Sequence, residues 1–186
     1  MITALLVIDV QNDYFPGGNM ALERAHEAAA NAARLLADFR GRGRPVFHVQ
    51  HLMARPNAGF LMPGTAGAEI HPAVAPIAGE ATVVKHYPNS FRETALLDEL
   101  RRADARRLVV AGMMTHMCID ATVRAAFDLG FSVVLAHDAC ATRSLRFGEA
   151  AVPAAQVHAA FVAALHGMFA EAKSVEEILR PGTAAP

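Results

Sequence analysis

A repeated alternation of short apolar runs and amphipathic stretches constrains the fold of this chain more than any other feature. Six runs have the character of strands, and most are apolar enough to be buried on both faces: Ala4–Asp9, Pro45–His51, Ala81–Lys85, Arg107–Met113, Phe131–Asp138 and Ala172–Ser174. Stretches with helical spacing lie between them: Glu23–Arg40, Arg92–Arg102, Cys118–Leu129 and Pro153–Phe169. Repeated strand–helix units predict an α/β fold with a parallel sheet and helices on both faces. At 186 residues, we expect one domain spanning residues 1–186.

Charge and composition exclude several classes of protein. The 17 Lys and Arg residues against 18 Asp and Glu residues give a net charge of −1, which offers no electrostatic basis for binding nucleic acid. No apolar run reaches the roughly 20 residues of a membrane span, and the N-terminus lacks the basic region of a signal peptide. The two cysteines, Cys118 and Cys140, suit a reducing compartment. We therefore expect a cytoplasmic protein that binds neither nucleic acid nor membranes.

Three polar residues lie where predicted strands end. Asp9 ends the first strand, Lys85 ends the third, and Cys118 follows the fourth. The carboxyl ends of parallel strands meet at one edge of the sheet, where such folds bind their ligands. A carboxylate, an ammonium group and a thiol are together the parts of an activated nucleophile. Taken singly, each has an ordinary interpretation as a turn aspartate, a lysine reaching solvent or a buried cysteine.

The surroundings of Cys118 favour a reactive thiol. Thr115 can serve as the N-cap of the following helix, which places Cys118 in its first turn. Free N–H groups and the helix dipole at that position predict a lowered pKa for the Cys118 thiol.

Several segments of the chain are similar to those of a known family. They are Leu6-Val-Ile-Asp-Val-Gln-Asn-Asp13, Gly64-Thr-Ala-Gly-Ala-Glu-Ile-His-Pro72, Val84-Lys-His-Tyr-Pro-Asn-Ser-Phe91, the stretch Val109–Arg124 and Asp138-Ala139. From about residue 3 to about residue 179 the chain resembles the isochorismatase-like cysteine hydrolases, the superfamily of nicotinamidases, carbamoylsarcosine amidases and related amidohydrolases. Gly112-x-x-Thr-x-x-Cys118, with an aspartate and a lysine before it in that order, is fairly specific for this group.

The resemblance implies a fold and a set of catalytic groups. The fold would be a three-layer α-β-α sandwich around a six-stranded parallel sheet of order 3-2-1-4-5-6. The triad would be Asp9, Lys85 and Cys118. A cis peptide bond would join Met113 to Met114, so that the N–H groups of Met114 and Cys118 form an oxyanion hole.

The resemblance also implies a reaction. The thiolate would attack a small-molecule amide and cleave its C–N bond through a thioester intermediate, without a cofactor. Family members that hydrolyse isochorismate usually lack the nucleophilic cysteine, so its presence favours an amide over a vinyl ether. Three alternatives stay open: hydrolysis of a non-amide bond, a catalytically idle protein that serves in binding or assembly, and a flavodoxin-like nucleotide-binding module, although no phosphate loop is present.

The chain departs from nicotinamidases at the end of its second strand. Those enzymes carry a metal-binding Asp-x-His element there, whereas this chain reads Val49-Gln50-His51. The nine histidines offer no compact ligand set by spacing. We therefore expect no catalytic metal and no preference for nicotinamide. His51 is expected to be a hydrogen-bonded structural histidine, although metal binding by it remains an alternative.

Eight residues on segments beside the predicted triad are candidates for contact with the substrate: Gln11, Phe15, Phe60, His86, Asn89, Phe91, Thr115 and Met117. For Phe91, packing in the core beneath the site is the stronger interpretation. The stretch Leu52–Glu80 has no clear periodicity and is rich in Pro and Gly, which suits a lid, a subunit contact or a plain surface connection. Oligomerisation as a homodimer or homotetramer is expected from the family, with this stretch and the helix His158–Phe169 as candidate contacts.

Overall fold

The computed structural model describes residues 2–180 of the chain. Its strands are β1 (Ile2–Ile8), β2 (Val46–His51), β3 (Ala81–Lys85), β4 (Ala105–Met113), β5 (Ser132–Ala141), β6 (Leu145–Phe147), β7 (Ala150–Val152) and β8 (Glu171–Lys173). Its α-helices are α1 (Ala25–Gly41), α2 (Leu96–Arg102), α3 (Asp120–Asp128), α4 (Ala154–Leu165) and α5 (Val175–Leu179). A π-helical turn, Thr115–Ile119, comes directly before α3.

The main sheet confirms the predicted architecture. Six parallel strands follow the order β3-β2-β1-β4-β5-β8. This is the expected order 3-2-1-4-5-6, because the sixth predicted strand, Ala172–Ser174, is β8. The antiparallel hairpin of β6 and β7 lies outside this sheet and was not predicted. Each of its strands has three residues, too few for a periodic pattern to be recognised.

Two hydrophobic cores cover the two faces of the sheet. On β1, Leu5 and Val7 belong to one core, whereas Leu6 and Ile8 belong to the other. Helices α1 and α5 pack on the first face, and α2, α3 and α4 contribute buried residues to the second. Because both faces of β1 are buried, its sequence is continuously apolar instead of alternating.

Two helices are shorter than their sequence pattern predicts. Helix α2 begins at Leu96 and not at Arg92, because the Thr94 hydroxyl donates to the Ser90 carbonyl and accepts from the Leu96 N–H, closing a turn. Helix α4 ends at Leu165 and not at Phe169. The chain reverses there through Gly167, whose φ of +91° suits glycine.

The irregular stretch 52–80 is bound to the rest of the structure by polar contacts. Gln11 donates to the Ala68 carbonyl at 2.7 Å, and the N–H of the buried Leu61 donates to Asp13 Oδ2 at 2.6 Å. At its far end, Glu80 forms an ion pair with Arg40 at 2.7 Å. The stretch is therefore held at both its middle and its end.

A helix that crosses a bilayer has to be long and apolar along most of its length. Among residues 2–180, no helix combines the length and the apolar character that crossing a bilayer requires.

Candidate active site

The three residues at the predicted strand ends come together at one edge of the sheet. Asp9 follows β1, Lys85 is the last residue of β3, and Cys118 lies in the π-helical turn after β4. Lys85 Nζ is 2.7 Å from Asp9 Oδ2 and 3.1 Å from Cys118 Sγ. All three side chains are buried. The structure thus places a carboxylate, an ammonium group and a thiol in direct contact.

The backbone turns sharply at Asp9. Its φ is +52°, in the left-handed region that aspartate tolerates better than most residues. The Asp9 N–H donates to the Val49 carbonyl of β2 at 3.0 Å. Burial raises the pKa of the Asp9 carboxyl, although Lys85 and the hydrogen bond with Cys118 oppose this. A carboxylate of raised pKa is a better proton acceptor near neutral pH.

Lys85 is held by more partners than the two other triad residues. Besides Asp9 and Cys118, its Nζ contacts His51 Nδ1 at 2.9 Å and the Tyr87 carbonyl at 3.0 Å. Burial disfavours the ammonium form, but the charges and hydrogen bonds of Asp9 and Cys118 outweigh it and raise the pKa of Lys85. Lys85 is therefore a fixed positive charge inside the site.

The environment of Cys118 corrects the prediction of a lowered pKa. Burial, reinforced by the negative charge of Asp9, raises the pKa of the Cys118 thiol, and Lys85 only partly offsets this. The helix-dipole argument was wrong because the thiol is buried beside a carboxylate instead of lying at an open helix terminus. Because burial raises the pKa of both Asp9 and Cys118, and each lies beside the Lys85 ammonium group, the two acids titrate as a coupled pair.

Thr115 does not cap the helix, which corrects a second prediction. The π-helical turn begins after Met114 and has no side-chain cap. The buried Thr115 hydroxyl instead donates to the Ala141 carbonyl at 3.3 Å and contacts His158 Nδ1 at 3.0 Å. Its side chain is used to tie the turn to β5 and α4.

The peptide bond between Met113 and Met114 is cis, as the resemblance implied. The Met114 carbonyl accepts hydrogen bonds from the N–H groups of Met117 at 3.0 Å and Ile119 at 3.3 Å. These two hydrogen bonds close the turn Thr115–Ile119, which contains Cys118 and directly follows the cis bond.

Within residues 2–180, one group of side chains has the donors and spacing of a metal site. Ligand atoms of Asp9, His51 and Cys118 lie within 4.8 Å of one another. Lys85 Nζ, however, forms hydrogen bonds with His51 and Cys118 and an ion pair with Asp9. A charged lysine among the three ligands repels a cation, so the residues present do not fit a metal while Lys85 is protonated.

Two candidate substrate residues, Gln11 and Phe15, follow β1, Phe60 lies in the irregular stretch, and His86 directly follows β3. Gln11 is fully buried, and its amide forms three hydrogen bonds, two with the His51 backbone and one with the Ala68 carbonyl. Phe15 is buried and stacks on His71 with ring centroids 3.7 Å apart. Phe60 packs on Tyr14 at the edge of the core. The exposed His86 contacts the Leu52 carbonyl through Nδ1 at 2.7 Å.

The other candidates follow β3 and β4. The Asn89 side chain accepts from the Phe91 N–H at 2.9 Å. The Phe91 ring stacks on Phe131 with ring centroids 6.1 Å apart and packs against the core. This is the packing role expected for Phe91 from the sequence. Thr115 is buried, whereas Met117, one residue before Cys118, is 42% exposed.

Two features of the site have no signal in the sequence. The Tyr87 carbonyl that binds Lys85 belongs to the backbone, so residue type does not reveal it. Tyr14 is buried, and burial together with the nearby negative charges of Cys118 and Asp9 raises the pKa of its hydroxyl. Its position beside the triad depends on how the segment after β1 folds back.

A family model for the isochorismatase domain matches residues 3–176. The chain is 52% identical over 180 residues to an uncharacterized isochorismatase family protein, YddQ, of Bacillus subtilis, covering 97% of this chain and 100% of that protein. It is 30% identical to the ureidoacrylate amidohydrolase RutB of Variovorax paradoxus, covering 84% of this chain and 73% of that protein.

A solved structure agrees with the sequence comparisons. The crystal structure of a putative isochorismatase hydrolase from Oleispira antarctica superimposes with a TM-score of 0.92 at 52% sequence identity, covering 95% of each chain. The residues that the family model matches, 3–176, include all three residues of the site.

Proposed function

Because the chain belongs to the isochorismatase family of hydrolases, we propose that it hydrolyses the C–N bond of a small-molecule amide through a covalent cysteine intermediate. One observation carries this proposal: Lys85 Nζ is within 2.7 Å of Asp9 Oδ2 and 3.1 Å of Cys118 Sγ in a buried site. The name of one relative, ureidoacrylate amidohydrolase, supports an amide-type bond.

In the first half of the proposed reaction, Cys118 becomes the nucleophile. Its thiol proton passes to Asp9, and the Lys85 ammonium stabilises the thiolate at 3.1 Å. The thiolate attacks the carbonyl carbon of the amide. The backbone N–H groups of Met114 and Cys118 donate hydrogen bonds to the oxyanion that forms. In other hydrolases each such donor stabilises the transition state by about 3–4 kcal/mol.

In the second half, Asp9 returns its proton to the leaving nitrogen and the C–N bond breaks, which leaves a thioester on Cys118. Asp9, again ionised, takes a proton from a water molecule, whose oxygen attacks the thioester carbonyl. The acid product leaves and the thiol regains its proton. Asp9 thus carries two protons in one cycle: the first from the Cys118 thiol to the leaving nitrogen, and the second from water back to the Cys118 sulfur.

The direct test is a panel of small amides and ureido compounds scored for ammonia release. Cys118→Ala is expected to lower turnover at least 10³-fold, since it removes the nucleophile. Cys140→Ala is the matched control, because it removes the chain's other cysteine and is expected to retain turnover. Near-full activity of Cys118→Ala would contradict the covalent mechanism.

Two alternatives have their own readouts in the same experiment. Isochorismate added to the panel and scored for pyruvate detects hydrolysis of a vinyl ether. A catalytically idle protein would release neither ammonia nor pyruvate from any compound of the panel.

A further inference from the structure

His51 contacts Lys85 of the triad and has no role in the proposed reaction. It is the last residue of β2 and is 6% exposed. Its Nδ1 lies 2.9 Å from Lys85 Nζ. An ammonium group can only donate, so Nδ1 accepts, and the neutral imidazole carries its proton on Nε2.

The charge state of His51 agrees with this tautomer. Burial, together with the neighbouring charge of Lys85, lowers the pKa of His51 to about 3. The ring is therefore neutral throughout the physiological range, and its Nε2 is a hydrogen-bond donor.

The Nε2 atom of His51 has no hydrogen-bond partner among residues 2–180, although it is buried. A buried donor without a partner is unfavourable until an acceptor pairs with it. One ring nitrogen of His51 lies within 4.8 Å of ligand atoms of both Asp9 and Cys118. The unused donor thus belongs to a ring at the reaction centre.

The position of the ring is fixed from both sides. The His51 N–H donates to Gln11 Oε1 at 2.9 Å, and the His51 carbonyl accepts from Gln11 Nε2 at 2.9 Å. With its backbone held by Gln11 and its Nδ1 held by Lys85, the ring keeps Nε2 directed away from the ammonium group.

We propose that His51 is a specificity-determining residue whose Nε2–H donates a hydrogen bond to a second oxygen of the substrate, one carried beside the scissile amide. This inference rests on the proposed function, since it presumes a small amide beside Cys118. A substrate without the second oxygen leaves the donor unpaired. The expected discrimination is about 10- to 100-fold, which is the range that one unpaired buried donor produces.

Two substitutions separate the two ring nitrogens. In His51→Asn, the amide oxygen can take the place of Nδ1 and still accept from Lys85, but nothing replaces Nε2. In His51→Gln, the longer side chain can return an N–H donor to the position of Nε2 while losing the contact with Lys85. His51→Asn therefore retains only the contact with Lys85, and His51→Gln retains only the donor toward the substrate.

Binding is measured by calorimetry in a Cys118→Ser background, so that no turnover is needed. The probes are malonamide and succinamide, which carry a second carbonyl, against butanamide and pentanamide, which are uncharged and of similar length. We expect the parent to bind the dicarbonyl probes at least 10-fold more tightly. His51→Asn is expected to abolish that preference, and His51→Gln to retain most of it.

Alkylation of Cys118 in the otherwise native protein provides the second readout. Loss of the Lys85 contact in His51→Gln is expected to shift the pH dependence of alkylation, whereas His51→Asn leaves it in place. A parent that binds both probe classes equally, or neither, overturns the inference, as does a preference that survives in His51→Asn. A preference for dicarbonyl probes without any ammonia release would contradict the proposed hydrolysis alone.

Discussion

Gly112 of β4 packs so closely against Ile8 of β1 that a side chain at position 112 would overlap the Ile8 carbonyl oxygen. The two residues are register partners in the sheet. Ile8 directly precedes Asp9, and Gly112 directly precedes the cis bond that leads to Cys118. The close approach of these two backbones therefore helps to set the distance between Asp9 and Cys118.

Gly112→Ala is expected to destabilise the protein by about 3 kcal/mol or more. The methyl group would meet backbone atoms that cannot move aside easily, and the φ of +135° at Gly112 disfavours any side chain. Urea unfolding measures the change. Gly41→Ala is the matched control, because position 41 is the last residue of α1, has no positive φ and has open space around it. A loss below 0.5 kcal/mol, roughly the scatter of surface substitutions, would contradict the packing argument.

The pH dependence of Cys118 alkylation tests whether Asp9 and Cys118 titrate as a coupled pair. In a Cys140→Ala background, the rate of reaction with iodoacetamide is expected to fall on acidification, because a second proton on the Asp9–Cys118 pair removes the thiolate. Since burial raises the pKa of Asp9, this fall should begin above the ordinary aspartate pKa of about 3.9. Measuring the alkylation rate from pH 4 to pH 10 gives the pH at which the fall begins.

Lys85→Met is the variant that isolates the role of the ammonium group in the same assay. Burial and Asp9 both raise the pKa of Cys118, and Lys85 opposes them. Removing the positive charge should therefore lower the alkylation rate at pH 7 at least 10-fold. An unchanged rate in Lys85→Met would show that the thiolate does not depend on Lys85.

Glu80 is expected to stabilise the fold in a pH-dependent way. Burial by itself raises the pKa of the Glu80 carboxyl, but hydrogen bonds from Arg40, the Ile77 N–H and His48 outweigh it and hold the pKa at about 2, against an ordinary value of 4.5. Because the folded pKa is depressed, the stabilisation is fully present above the ordinary pKa. It is lost as the pH falls from about 4.5 toward 2.

Glu80→Gln should therefore lower the free energy of unfolding by about 2–3 kcal/mol at pH 7 and by less than half of that near pH 3. Urea unfolding at pH 7, 4 and 3 gives the comparison. Glu27→Gln is the control, since its carboxylate is 61% exposed and pairs with Arg24 only at 3.6 Å. A difference between Glu80→Gln and the parent that is the same at every pH would exclude the ionic origin.

The parallel sheet and the three site residues could be predicted from the sequence pattern, whereas the order of the strands came from the family resemblance. Buried parallel strands have to be continuously apolar, so a polar residue such as Asp9 or Lys85 at the end of a run is conspicuous. The cis bond at Met113–Met114 came from family resemblance, because no local property of two methionines indicates it. The hairpin β6–β7 escaped prediction because its strands are too short to show a period.

Local sequence determined which chemical groups the site contains, because strand ends and helix starts follow from patterns of neighbouring residues. Only the tertiary structure decided their protonation and partners. The burial of Cys118 beside Asp9 reversed the pKa shift that the helix start predicted. The contact of Lys85 with His51, 34 residues away, left one imidazole N–H unpaired at the reaction centre. Desolvation and contacts between distant residues depend on how strands pack side by side, and no short stretch of sequence encodes them.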